Sequence, residues 1–466
     1  MLPNKNPLIT VYVTNYNYGR FIGDCIESLL HQTCQDFEVI IIDDGSTDNS
    51  KEIIESYRHV EKISIIYQQN KGLNITNNIA MRAAQGKYIM RLDADDFLEP
   101  NALELMSAKL EQDDKLGLVF PDYYYVDRDG NRIGEEKRHN FDENVSLYDQ
   151  PAHGACTMIR LEYLRKLGGY NESFTCQDGY DLWIKFITHY PVSNIRFPLF
   201  SYRQHGNNLT SNELRILSTR QKIKDLHIET FGVQLPTTIA IIPLRRTVIA
   251  GIDWLLFPTN ENDTVLSNLL RTVAESKKVE KIVVTTSDVE LIQYCRQFET
   301  IFSNLLVVER PSAFEELHET LSKTIHLVLN QPEIIDLIPK AILTIAADFP
   351  FLTTEIIDDA INTLSIFQAD SLLSVRPDNR MYYQHTGHGM QPLLDQYKFT
   401  KLEREALFSG MGGIVAATVD SFKKSDRMVA GKVGHIVVDQ KAALGVFSPF
   451  DLEIFKSLQN TIKHGV

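Results

Sequence analysis

Three apolar runs of this chain stop abruptly in carboxylates or amides. Leu8 to Val13 runs into Thr14-Asn15-Tyr16-Asn17, Val39 to Ile42 into Asp43-Asp44-Gly45-Ser46, and Tyr88-Ile89-Met90 into Arg91-Leu92-Asp93-Ala94-Asp95-Asp96. Runs that are apolar on both faces read as strands buried inside a parallel sheet. Between them Phe21, Ile22, Cys25, Ile26, Leu29 and Leu30 repeat at the spacing of one helix face, and residues 75–84 do the same. Strand and helix alternate, which predicts an α/β domain whose ligands lie off the carboxyl ends of its strands.

The acidic run is the chemically loaded one. If the strand continued through it, Asp93 and Asp95 would share a face and Asp96 would turn the other way. Carboxylates so close repel unless a cation sits among them, and Mg²⁺ or Mn²⁺ held by one or two carboxylates plus substrate phosphate oxygens is the usual answer. The plain alternative is a solvated acidic turn capping a helix over residues 100–110. The Ser46-Thr47-Asp48 cluster after the second run suits the start of another helix.

Four pieces in order, Thr14-Asn-Tyr16-Asn17, Phe37 to Ser46, Asn70-Lys71-Gly72 and Gly86 to Asp96, resemble the family 2 glycosyltransferases of the GT-A fold. The resemblance implies transfer of a sugar from a nucleotide diphosphate donor, most often UDP, with inversion at the anomeric carbon. By position, Thr14 and Tyr16 would hold the base with Tyr16 stacked on it. Asp44 would accept from the uracil ring nitrogen, and Asp93, Asp95 and Asp96 would bind ribose and metal. An Arg-Asn pair common in the family after Asn-x-Gly is replaced by Asn77 and Asn78, which leaves more of the diphosphate charge to the metal, Lys71 and Arg82.

Further on, Pro151 to Arg160 with Leu167 to Glu172 resembles the segment that closes the acceptor side, and Cys176-Gln-Asp178-Gly-Tyr-Asp181-Leu-Trp183 resembles the family's acidic catalytic motif. Inversion needs a base opposite the leaving diphosphate, a role typically contributing about 10²- to 10⁴-fold in rate. Asp178 is the expected base, the alternative being a helix N-cap, and Asp181 is expected to cap or orient the helix over residues 182–189. In that helix Trp183, Ile184 and Ile187 would face the core. Leu199 to His205 resembles the end of the module, where Arg203 would meet the diphosphate and His205 the metal, the alternative for His205 being an ordinary surface residue of a polar loop; arginine has the geometry and permanent charge that phosphate favours.

With 466 residues the chain exceeds what one core serves. The expected domains are residues 1–231, closed by a bracing helix over about 213–230, and residues 236–466. Hydrophobic content of 43% and charged content of 23% fit an ordinary soluble protein, and a net charge of −14 argues against nucleic acid as partner. The N-terminus runs straight into the first strand without the look of a signal peptide. No apolar run approaches the roughly 20 residues that span a bilayer. Five scattered cysteines without CxxC spacing fit a reduced cytoplasm and no zinc site; Cys25 reads as buried, and Cys176 as packing rather than nucleophile.

The second half alternates again, with strands expected over 238–243, 281–286, 341–346 and 371–375 and helices over 289–298 and 354–364. Ile239 to Arg245, Ile282 to Asp288, Glu309-Arg310-Pro311, Asp348 to Leu352, Gly412 to Ala417 and Phe450 to Phe455 are similar to the acylneuraminate cytidylyltransferases. The departures fall where the chemistry would be. The family's glycine-rich, lysine-bearing phosphate loop is replaced by Arg246 to Trp254, and its Asp-x-Asp metal pair by Gly445 and Phe447. The chain is therefore expected to hold two Rossmann-like nucleotide-sugar domains in tandem, a GT-A domain and a degenerate cytidylyltransferase-like domain kept for binding, assembly or positioning. Residues 378–390 read as an arm or an ordinary loop; a metal at His385 and His388 is disfavoured by Gly387.

The function that follows is metal-dependent (Mn²⁺ or Mg²⁺) glycosyl transfer from a nucleotide-sugar donor to a glycan or lipid-linked acceptor of surface-polysaccharide assembly. Expected with it are a homodimer, a cytoplasmic location and peripheral association with the inner membrane face. Two alternatives stay open: a bifunctional enzyme that also makes a CMP-activated nonulosonic acid, and a non-catalytic scaffold or carbohydrate-binding protein.

Overall fold

The computed structural model describes residues 6–137, 140, 154–204, 213–315, 320–378, 380, 382–393 and 407–464. Its first elements are β1 (Ile9–Asn15), α1 (Ile22–Leu30), β2 (Phe37–Asp43), α2 (Ser50–Ser56), β3 (Ile63–Tyr67), α3 (Leu73–Ala83), β4 (Tyr88–Asp93), β5 (Phe97–Leu98), α4 (Ala102–Gln112), β6 (Leu118–Val126), β7 (Arg132–Glu136), β8 (Met158–Arg160), α5 (Leu161–Lys166), α6 (Asp178–His189), β9 (Val192–Arg203) and α7 (Glu213–Phe231). The strands form one mixed sheet in the order β3-β2-β1-β4-β8-β6-β9-β5, with β7 paired to β6.

Its first four strands are parallel, and the register sets their ends level: Thr14 lies beside Asp93, and Asn15 beside Asp43. Both faces of this sheet are covered, which is why the runs read as continuously apolar. Val11, Val13, Met90 and Leu92 pack with Ile22, Cys25, Ile26 and Leu29 of α1 on one side. Tyr12, Ile40, Ile42 and Ile89 pack with Leu182, Trp183 and Phe186 of α6 on the other. Trp183 of α6 meets Phe120 of β6 edge to face, ring centroids 5.7 Å apart.

Two compact units emerge: Met1–Ile223 with Asn379–Glu405, and Lys224–Asp378 with Ala406–Val466. The division falls inside α7, which the sequence pattern assigned whole to the first domain. Each part of this helix is tied down by side chains of its own unit. Arg215 and Arg220 bond to Thr175 and Gln177, whereas Lys224 is ion-paired to Asp359 (2.6 Å) and Asp225 to Lys278 (2.5 Å). The described residues between 378 and 407 include an exposed hairpin, Tyr383–His385 with Met390–Pro392.

In the second unit the strands follow the order Leu305–Glu309, Lys281–Thr286, Thr238–Pro243, Ala341–Ile345, Leu407–Thr418, Ser371–Asp378, Val433–Val437. The first four are again parallel, and Leu407–Thr418 runs antiparallel to both its neighbours. Among the described residues no helix is long and apolar enough to cross a membrane.

Candidate functional site

The level strand ends of the first unit gather the polar residues, and short bonds lock them together. Asn15 donates from Nδ2 to Asp43 Oδ1 (2.7 Å) and Ser46 Oγ (3.0 Å), while its carbonyl accepts the Asp44 amide (2.8 Å). The Asp44 carboxylate is buried and accepts from the backbone amides of Lys71 (2.8 Å) and Gly72 (2.9 Å) and from Gln68 Nε2 (2.7 Å). Three of its roughly four acceptor positions are therefore taken, leaving room for one more donor. Lys71 contributes its amide to this clasp and extends an exposed side chain. Tyr16 is 46% exposed just past β1, as a stacking residue must be.

Beyond Asp93 the chain does not continue as a strand, and the period-two placement of Asp93 and Asp95 fails. The Asp96 amide bonds back to the Asp93 carbonyl (3.0 Å) and the Ala94 amide to the Thr14 carbonyl (3.1 Å), which is a turn. Thr14 donates to Asp93 Oδ1 (3.0 Å). Asp96 points inward: it is 1% exposed, and Oδ1 accepts the Arg203 amide (2.9 Å). It thus supports the turn instead of facing a ribose. Its Oδ2 is buried with no hydrogen-bond partner. Burial, then Asp95 and Asp93, push this carboxyl well above the usual range. Burial and the same three aspartates raise the nearby Tyr18 phenol.

Arg203 is a correction as well. It is 2% exposed, and Nε donates to the Asp95 carbonyl (2.8 Å) and Nη1 to the Arg128 carbonyl (2.9 Å), while the guanidinium stacks 4.8 Å from the Phe21 ring. Burial that needs the guanidinium's own donors for the acidic turn makes it a brace and not an open phosphate ligand. His205, and Pro151 to His153 of the acceptor-side segment, lie outside the described residues.

The residue that sequence reasoning missed is Arg91. It occupies an apolar strand, so its pattern signalled only β4, yet its guanidinium joins two parts of the site. Nη1 is paired to Asp178, and Nε lies 2.9 Å from Asp93 Oδ1. Burial opposes its charge, but Asp178 and Asp93 more than reverse this and hold it firmly protonated. Gly154 makes the space: a Cβ there would come within 2.7 Å of Arg91 Nη2. Asp178 opens α6 with a side chain 14% exposed. Beneath lie the buried phenols of Tyr12 and Tyr170, 3.3 Å apart; burial raises both, Tyr170 to about 12. Asp181 is buried four residues before Lys185, with its carboxyl raised by burial against the pull of that lysine at 2.7 Å.

A face of α3 read as apolar is instead lined with asparagine. Asn74 and Asn78 donate to the carbonyls of Asn171, Phe174 and Tyr170 (2.7–2.8 Å), and Asn77 Oδ1 accepts from Tyr12 (3.2 Å). Asn78, one of the two residues replacing the family's Arg-Asn pair, therefore helps Asn74 fasten the 170–174 loop in front of α6, and Asn77 holds the phenol beneath it. Arg82 sits exposed in the last turn of a helix that starts beside Asp44. Eleven residues of helix, about 16 Å, separate the two ends, so Arg82 is at the wrong end for a diphosphate.

Does the acidic turn suit a divalent ion? Among the described residues no three His, Cys, Asp or Glu side chains form a ligand set, so any ion must be completed by substrate oxygens. The clustered carboxylates and an unpartnered buried Asp96 oxygen are hard oxygen donors whose charge the Arg91 contact to Asp93 offsets only in part. The donor set fits Mn²⁺ or Mg²⁺. A concavity of about 550 Å³ around Lys87, Arg160 and Arg165 opens at the end of β4 opposite to the acidic turn.

The corresponding strand ends of the second unit are filled. Val248–Ile249 pairs with Ile252–Asp253 around Ala250 and Gly251, both at positive φ (51° and 78°), a tight two-residue hairpin. Trp254 closes it into the core, donating to the Ala347 carbonyl (3.4 Å) and packing edge-on against Phe455. Arg246 is engaged by Asp253 and Glu290, each at 2.8 Å. Phe447 packs on Phe349, and Asp451 accepts from Ser448 Oγ (2.8 Å) and the amides of Ser448 and Phe447, capping the helix Pro449–His464.

A family model described as glycosyl transferase family 2 matches residues 10–168. The chondroitin synthase of Escherichia coli is 34% identical over 211 residues, covering 45% of this chain and 31% of that protein. The hyaluronan synthase of Pasteurella multocida is 32% identical over 216 residues, 46% of this chain and 22% of that one. A glycosyltransferase of Methanocaldococcus jannaschii, described as uncharacterized, is 31% identical over 212 residues, 42% of this chain and 71% of its own length. The chain thus spans less than a third of either synthase.

Proposed function

Because the chain belongs to glycosyl transferase family 2, we propose that its first unit moves a sugar from a nucleotide diphosphate donor, a UDP-sugar by preference, to a growing glycan with inversion. The observation that supports this most directly is the chain Thr14–Asp93–Arg91–Asp178, which draws the ends of β1 and β4 and the start of α6 into one site. Asp178 takes the proton of the acceptor hydroxyl as that oxygen bonds to the anomeric carbon and the bond to the departing diphosphate breaks. Arg91 keeps the carboxylate aimed. Tyr16 stacks on the base and Asp44 accepts its N–H with its remaining position. Thr14 and Asp93 lie towards the ribose, and Lys71 offers an exposed charge to the phosphates. Asp93 and Asp95 would hold Mn²⁺ or Mg²⁺, which when bound neutralises charge on the diphosphate.

The names of the matched synthases favour polysaccharide assembly as the setting, and a peripheral association with the inner membrane face is part of the same reading. The second unit, in this reading, is a cytidylyltransferase-like domain that has lost its chemistry and serves binding or homodimer assembly. Its strand order and antiparallel fifth strand support the likeness, and the hairpin, Trp254 and Phe447 support the loss.

A panel of UDP-, GDP- and CMP-sugars, scored for thermal stabilisation and for Mn²⁺-dependent nucleotide release, tests the proposal. UDP-sugars should stabilise and turn over, and Asp95→Ala and Asp178→Ala should stop turnover. Unchanged transfer by both variants would refute it.

A further inference from the structure

Gln177 stands immediately before Asp178 with φ 62° and ψ 30°, a left-handed conformation that residues other than glycine adopt uncommonly and at a cost. An N-cap residue ordinarily sits in the extended region, so this geometry is not intrinsic to the start of α6. It sets the direction in which Asp178 leaves the backbone, because Asp178 is the first residue of the helix and the amides of Tyr180 and Asp181 both bond to the Gln177 carbonyl at 3.0 Å.

The side chains that hold this stretch come from α7. Arg220 donates from Nε to Gln177 Oε1 (2.7 Å), and its guanidinium lies 4.7 Å from the centre of the buried Tyr180 ring. Its neighbour Thr219 has Oγ1 3.3 Å from Cys176 Sγ, and about one turn earlier Arg215 donates to Thr175 Oγ1 (2.7 Å) and to the Thr175 carbonyl (3.2 Å). Three consecutive residues, Thr175, Cys176 and Gln177, are thus each held by one stretch of one helix. Residues 215 and 219, four apart on a helix, lie side by side.

We infer that the first half of α7 is a clamp on the loop preceding the catalytic carboxylate, with Arg220 the positioning residue that keeps Gln177 left-handed and Asp178 aimed at the acceptor. Arg91 fixes the carboxylate; Arg220 fixes the backbone that carries it. The inference rests on Asp178 being the base, and it assigns α7 a part in turnover beyond bracing.

The test uses full-length protein with a panel of UDP-glucose, UDP-GlcNAc, UDP-GalNAc and UDP-glucuronic acid, water as acceptor and UDP release as readout. Displacement of a reacting group by about 1 Å can cost on the order of 10²-fold, so Arg220→Ala should lower kcat by up to that factor and leave the donor KM unchanged. Gln177→Leu removes the same bond from the other side while leaving α7 intact, and should reproduce the loss. Gln177→Gly in the Arg220→Ala background should restore much of kcat, since glycine adopts positive φ without help. Independently of any sugar, hydrogen exchange at Tyr180 and Asp181 should accelerate in Arg220→Ala.

Wild-type kcat in Gln177→Leu, an Arg220→Ala loss that Gln177→Gly does not relieve, or unchanged exchange at Tyr180 and Asp181 each overturns the clamp. Release that survives Asp178→Asn instead removes the base assignment itself. An inactive Asp178→Asn beside a fully active Arg220→Ala removes the clamp alone.

Discussion

The two units begin from the same plan and end differently. Each builds four parallel strands in the order third-second-first-fourth, and each presents loops at the carboxyl ends of those strands. In the first unit those loops bring Asp44, Asp93, Asp95 and Asp178 to the strand ends with Arg91 between two of them. In the second unit the same places hold a hairpin, a buried indole and a phenylalanine pair. Parallel topology supplies a crevice, but the chemistry resides in the side chains set there.

The largest effect should come from the first unit's carboxylate. Asp178→Asn should lower UDP release by about 10²- to 10⁴-fold while donor-induced thermal stabilisation persists. Loss of that stabilisation as well would mean the residue binds donor instead of acting as base, and would blur the contrast between the units.

Next comes a buried pair in the second unit. Lys224→Met leaves Asp359 buried without its partner at 2.6 Å, and removal of one member of such a pair costs about 3–5 kcal/mol. Burial already raises the Asp359 carboxyl, and Lys224 pulls it down. A carboxyl whose folded pKa is raised favours the folded state below its unfolded pKa of about 3.9 and loses that contribution as pH rises through the folded value. Without Lys224 that value climbs further, so the variant's deficit should be smallest near about pH 4 and should grow as pH rises, as read by urea midpoints across pH. A deficit that shrinks with rising pH would contradict the assignment. Turnover per folded molecule should stay unchanged if the second unit takes no part in the chemistry.

Gly154→Ala sharpens the contrast at finer scale. Its Cβ must displace the Arg91 guanidinium, an overpacking that costs about 1–3 kcal/mol and should reduce kcat more than it reduces donor affinity. The smallest expected effect is none: CTP-dependent pyrophosphate release by the full chain should stay at background. Release above it would make the second unit an enzyme and end the comparison.

Much of the architecture was legible because its signals are local. The apolar runs at 8–13, 39–42 and 88–90 announced the strands Ile9–Asn15, Phe37–Asp43 and Tyr88–Asp93, and the face of Ile22, Cys25, Ile26 and Leu29 announced α1. The asparagine face of α3 was hidden, since Asn74 and Asn78 find their carbonyl partners 92 to 100 residues away around Tyr170, and Asn77 meets Tyr12, 65 residues back. Arg203 had the right charge for phosphate, yet folding committed it to carbonyls at 95 and 128. Asp96 was counted among the donor-binding residues, but the chain turns at Asp93 and buries it.

The amino-acid sequence by itself determined that strands would alternate with helices and end in carboxylates, because hydrophobic periodicity is a property of neighbouring residues. Only the tertiary structure decided which charges meet: Arg91 with Asp178 across 87 residues, Arg220 with the left-handed Gln177, and Arg203 with the turn it braces. Such pairings depend on the directions side chains take after packing and on which partner wins a buried donor, and neither is written in the spacing of residues along a chain.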